Sequence, residues 1–125
     1  MHVTLDGQVT ENHRVLYHER SLEGFMHLAA LVLGMSTIGG PFIIRYPAGN
    51  GTEAGLSGVL FIAESNITVH TYPEYNYIYM DFFSCKEVPL DAIAYIKGHL
   101  GLTRSVQHIM PDRGRTHLEV AHGSR

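Results

Sequence analysis

Three side chains able to carry nucleophilic and proton-transfer chemistry lie close together in the second half of the chain: Ser65, His70 and Cys85. Ser65 falls between two β-like runs, where a turn would expose its hydroxyl and strain the peptide before it. His70 follows five residues later, so a tight connection or a strand could return it to the same end of a sheet. Cys85 closes the next β-like run. A nucleophile, a base and a thiol gathered at strand ends make a workable site for covalent catalysis. On spacing alone, the same three also read as a turn serine, a satisfied strand histidine and a small core cysteine.

Metal chemistry is the other use that nine histidines suggest. His13 and His18, like His117 and His122, stand five apart, and neither pair fits a His-Glu-x-x-His helix. With one cysteine and no carboxylate at ligand spacing, no metal site is expected.

The elements that must position these residues can be read from periodicity. Val3, Leu5 and Val9 alternate over residues 2–9 and predict a first strand. Ser21 is the expected N-cap of a helix from Leu22 to about Gly34, whose Leu22, Phe25, Met26, Ala29, Val32 and Leu33 form one apolar stripe. Thr37 to Tyr46 reads as a strand held to an edge or bulge by Pro41. Pro47 to Gly55 has the composition of a loop. Three β-like runs follow, Gly58–Ala63, Asn66–Tyr72 and Tyr77–Ser84, the last two joined by a turn over Pro73–Asn76. Pro89 suits the first turn of a second helix carrying Leu90, Ile93, Ile96 and Leu100, which Gly101 stops. Leu102 to Met110 predicts a last strand, and the polar stretch 111–125 a mobile tail. The order β-α-β-β-β-β-α-β predicts an α+β fold, an antiparallel sheet with helices on one face.

Composition bounds the class. A chain of 125 residues with 45% hydrophobic residues fits one domain spanning residues 1–125. Twelve acidic against nine basic residues, a net charge of −3, leave no basic stripe for nucleic acid. The longest apolar run, Leu28 to Met35, is far short of a membrane span. Met1 to Thr10 lacks the layout of a secretory signal, and the lone cysteine fits a reducing compartment, so a cytoplasmic protein with no membrane partner is expected. Tyr77 to Phe83 is apolar or aromatic on both faces, which predicts that two protomers pack sheet on sheet into an α/β/β/α sandwich.

Leu56 to Cys85 resembles the core of the small prokaryotic S-adenosylmethionine decarboxylases. That family's pattern runs Leu/Val-Ser-Gly, an apolar strand, Ala-Glu-Ser-His, then His-Thr-Trp-Pro-Glu-Tyr and an Asp-x-Phe-x-Cys ending. This chain has Leu56-Ser57-Gly58, then Ala63-Glu64-Ser65-Asn66, then His70-Thr71-Tyr72-Pro73-Glu74-Tyr75, then Asp81-Phe82-Phe83-Ser84-Cys85, with the spacing kept. The helix after Pro89 is in register as well. Asn66 replaces a histidine, Tyr72 a tryptophan and Asn76 a glycine.

The resemblance implies a proenzyme that cuts itself between Glu64 and Ser65 and turns Ser65 into a covalent pyruvoyl cofactor. Ser57 and His70 match the family's processing residues, His70 being suited to the proton removal that drives elimination. The pyruvoyl ketone would form a Schiff base with the substrate amine, S-adenosylmethionine, and accept the electrons left by departing carbon dioxide. Cys85 matches the proton donor to the substrate α-carbon. Glu74 matches the carboxylate that binds the ribose hydroxyls, and Tyr72 offers a face that could stack on a base. The product would feed spermidine synthesis, and the protein would be a homodimer of processed protomers. Because of the departures, decarboxylation of arginine or ornithine on the same scaffold, or a non-processing binding relative, are the rival readings.

Overall fold

The structure, a computed structural model, describes residues 1–46 and 54–113. Alternating apolar residues build a six-stranded sheet in the order β2-β3-β4-β5-β1-β6, with every neighbouring pair antiparallel. The strands are β1 (His2–Gln8), β2 (Thr37–Arg45), β3 (Leu56–Ile62), β4 (Ser65–Tyr72), β5 (Tyr77–Ser84) and β6 (Thr103–Met110). Helices α1 (Glu19–Val32) and α2 (Leu90–Leu100) cover one face. The α+β architecture expected from the element order is therefore the one observed.

The core fills the space between that face and the helices. Leu5, Leu60, Val69 and Met80 from the sheet and Leu22, Met26, Ile93 and Ile96 from the helices are all within 1% of full burial. Gly58 is where α1 comes closest to β3: a Cβ there would meet Met26 Sδ at 2.8 Å.

Helix α1 begins earlier than its sequence suggests. Its N-cap is His18, with extended dihedrals and no side-chain cap, so Ser21 lies inside the first turns and caps nothing. The chain enters from a 3-10 turn over Arg14–Leu16, and Glu19 places its charge at the positive helix end. The helix stops at Val32, and Gly34 takes the left-handed φ of 70° that ends helices cheaply. At α2, Gly101 does the same with φ 58°.

β3 begins two residues before its expected start, and β4 includes Ser65, because the Ile62–Ser65 pair already belongs to the ladder. β2 is an edge strand whose register shifts on both sides of Gly39, and its Gly40–Pro41 bond is cis. Most of the loop expected over 47–55 (residues 47–53), most of the expected tail (114–125), and with it His117 and His122, lie outside the described residues.

The second face of the sheet has no layer of this chain's described residues over it. Along β5, Ile78, Met80 and Phe82 are buried under the helices, whereas Tyr79, on the other face, is 42% exposed. Phe42, Ile44, Phe61 and Tyr72 are exposed too. Among the described residues, no helix is long and apolar enough to cross a membrane.

Candidate active site

The β3–β4 hairpin has a two-residue loop, Ala63-Glu64, closed by the Ile62–Ser65 pair. Glu64 has a left-handed φ of 60°. That conformation costs a side-chain-bearing residue roughly 1–2 kcal/mol. The peptide joining Glu64 to Ser65 thus follows a strained residue at a hairpin tip. Ser65, Glu64 and Cys85 line one cavity of about 250 Å³, with Leu33 and Met35, just past the end of α1, forming part of its wall. Cys85 reaches it because Ser84, the last residue of β5, pairs with Ser65. The structure therefore brings Ser65 and Cys85 together.

It does not bring His70 to them. Ladder contacts on both sides of β4 run without a register shift, so the strand is regular between Ser65 and His70. Five residues at about 3.3 Å each carry His70 about 16 Å away. Alternation also turns it to the uncovered face, while Ser65 shares a side with Ile67 and Val69. The expected return of His70 to the same sheet end fails because β4 has neither bend nor bulge. Instead His70 stands opposite Ser57 on β3, and Ser57 Oγ lies 2.8 Å from His70 Nδ1.

Tyr72 and Glu74 occupy the far end of β4, beyond His70. Glu74 lies in a 3-10 turn over Pro73–Tyr75 that Asn76 ends with a left-handed φ of 52°, a conformation asparagine tolerates. A hydrogen bond with Glu74 holds the Tyr75 phenol above its ordinary pKa. Burial, reinforced by Tyr72 and Glu74, pushes Tyr46 up in the same way. The Tyr72 ring meets Tyr79 edge-on at 5.4 Å and Tyr46 at 6.5 Å. Tyr72, Tyr75, Tyr77 and Tyr79 line an open, largely aromatic depression of about 450 Å³.

Some residues at these places were given no place in the site by the sequence. Tyr77 and Tyr79 share a face with Tyr72, and their alternation in β5 was the available signal. Asp81 accepts from His2 Nε2 at 2.8 Å and from Thr68 Oγ1 at 3.3 Å, a grouping that no local pattern announces. Ser84 fills the variable position just before Cys85. Among the described residues, no three His, Cys, Asp or Glu side chains converge as metal ligands.

A two-layer α+β domain with a serine following a left-handed residue at a hairpin tip, and a thiol lining the same cavity, defines a class of protein that sets a hydroxyl beside a thiol, the residue types covalent catalysis uses. The chain belongs to the S-adenosylmethionine decarboxylase family, whose model matches residues 1–114. It is similar to proteins named S-adenosylmethionine decarboxylase proenzyme. That of Thermosipho melanesiensis is 34% identical over 88 residues, covering 69% of this chain and 63% of the relative. That of Thermotoga maritima is 43% identical over 63 residues, 49% of this chain and 48% of the relative. A third, from Clostridium botulinum, is 48% identical over 48 residues, 37% of this chain and 41% of the relative. Each match spans less than two thirds of the relative's length.

Proposed function

We propose that this chain is a self-processing, pyruvoyl-dependent decarboxylase of S-adenosylmethionine, acting in the cytoplasm and supplying the aminopropyl donor for spermidine. The observation that carries this reading is Ser65, placed after the left-handed Glu64 and in one cavity with Cys85. The Ser65 hydroxyl attacks the Glu64 carbonyl carbon, the peptide C–N bond breaks, and the hydroxyl proton ends on the freed nitrogen. Removal of the Ser65 α-proton then expels Glu64 as a carboxylate, and hydrolysis releases ammonia.

The cavity of about 250 Å³ has room for a small ketone at Ser65 and holds the thiol close by, so the residues fit a pyruvoyl group. That group supplies an electron sink for the carbanion left when carbon dioxide departs. Cys85 returns a proton to the substrate α-carbon. Glu74 accepts hydrogen bonds from the ribose hydroxyls, and Tyr72 presents an aromatic face to the base.

His70 and Ser57 enter from a second copy. Within one protomer they sit about 16 Å along β4 from Ser65. Two uncovered sheet faces packed about a two-fold axis running across the strands lay the end of one β4 over the start of the other. Phe42, Ile44, Phe61 and Tyr79 supply the apolar contact that such a face needs. The protein is then a homodimer in the α/β/β/α arrangement.

Release of labelled carbon dioxide, measured side by side from S-adenosylmethionine, arginine and ornithine, tests the substrate. Release from S-adenosylmethionine alone is the expected result. Release only from arginine or ornithine overturns the substrate assignment, and no release from any of the three favours a binding relative.

A further inference from the structure

Ser84 has no role in the reading above, yet it faces the nucleophile. It ends β5 directly opposite Ser65, is 3% exposed, and lines the cavity that holds Ser65 and Cys85. Its backbone N–H donates to Met1 O at 2.9 Å, and its carbonyl accepts from the Met1 nitrogen at 2.6 Å. Both backbone groups therefore point away from β4, which makes Ser65–Ser84 a non-hydrogen-bonded pair of the β4–β5 ladder. Such pairs hold their Cα atoms about 4.5 Å apart with both side chains on one face, the closest approach a sheet offers. Ser84 Oγ accepts from the Lys86 N–H at 3.0 Å. That bond fixes the hydroxyl oxygen and leaves it a second lone pair.

We infer that Ser84 is a positioning residue for self-cleavage at Ser65, an inference that rests on the self-processing reading above. Ser84 Oγ accepts the hydrogen bond of the Ser65 hydroxyl and so turns the Ser65 lone pairs toward the Glu64 carbonyl carbon. In the step it assists, the bond between Ser65 Oγ and Glu64 C forms and the bond between Glu64 C and Ser65 N breaks. The Ser65 proton passes to that nitrogen, and no co-reactant is consumed. The duller role, an acceptor for Lys86 alone, leaves the cleavage rate untouched once the chain is folded.

Ser84→Thr and Ser84→Val share a shape and differ in the hydroxyl, so they separate the two roles. Their cleavage rates are followed on freshly synthesised chain, at a temperature where circular dichroism shows both folded. The Ser84→Thr chain is expected to cut near the wild-type rate, and the Ser84→Val chain about tenfold slower, the size of one lost hydrogen bond. The uncut Ser84→Val chain should also resist hydroxylamine, because the block precedes the ester. Equal rates for the two variants, or a hydroxylamine-sensitive ester in Ser84→Val, overturn the inference while leaving self-processing intact. An uncut wild-type chain overturns both. If Ser84→Val does not fold, Ser84→Ala takes its place under the same criteria.

Discussion

Ser57 Oγ lies 2.8 Å from His70 Nδ1 across adjacent strands, on the face of the sheet that the helices leave open. In the tautomer whose Nδ1–H donates to Ser57, the Nε2 atom keeps a lone pair and can serve as the base of the proposed processing. His70→Ala should therefore stall processing after the acyl shift, leaving an ester that hydroxylamine cleaves. Ser57→Ala should slow the same step by about tenfold, the size of one lost hydrogen bond. Rapid, complete cutting in both variants would remove the pair from processing.

Cys85 shares a cavity with Ser65, and the proposed acyl shift makes no use of its thiol. Cys85→Ala should cut to completion and then decarboxylate about 10²- to 10⁴-fold more slowly, the range for a lost general acid. Mass spectrometry reads the first property and carbon dioxide release the second. Normal turnover would remove Cys85 from its proton-donor role.

The sheet order makes a further outcome testable. A cut after Glu64 leaves β1, β2 and β3 in one fragment and β4, β5 and β6 in the other. In the order β2-β3-β4-β5-β1-β6, β1 is then inserted between two strands of the other fragment. Three ladders, β3–β4, β5–β1 and β1–β6, cross the cut. The fragments should co-elute in gel filtration, melt in one transition and separate only in denaturant. Fragments that part under native conditions would contradict this topology.

Much of this layout was legible from periodicity. Alternation over residues 2–9 and the β-like runs 66–72 and 77–84 marked three strands, and Gly101 marked the end of α2. The start of α1 was not legible, since a capping serine at position 21 outweighed an uncapped histidine at position 18. At the site, Ser57, Ser65, His70 and Cys85 were each singled out by a contiguous motif, whereas the pairing of Ser57 with His70 came only from the β3–β4 register. Placing β1 between β5 and β6 depends on pairing over some eighty residues, and the His2–Asp81 contact follows only from that pairing. The separation of His70 from Ser65 could have been read from parity, because five is odd and a regular strand changes face.

One titrating group lends the fold a pH dependence. Burial, with His99 close by, holds the His13 pKa below its ordinary 6.5. Its Nδ1 also accepts the Val15 N–H at 3.2 Å, which requires the neutral ring. A depressed folded pKa means that the unfolded chain binds the proton first, so this contribution is present above about pH 6.5 and is lost as pH falls below it. His13→Asn keeps an acceptor without the titration. Between pH 7.5 and 5.5 the wild type should lose more stability than the variant, by less than a full cap because the ring is only partly buried and titrates only in part over that range. Parallel melting curves at both pH values would contradict this.

Everything proposed for Ser65 begins with scission of its bond to Glu64, which the intact mass of the purified chain reads without any assay of activity. Wild type should give two fragments, residues 1–64 and 65–125, the second blocked at its N-terminus, whereas Ser65→Ala should give one full-length mass. A single full-length mass from wild type after long incubation would rule out self-processing.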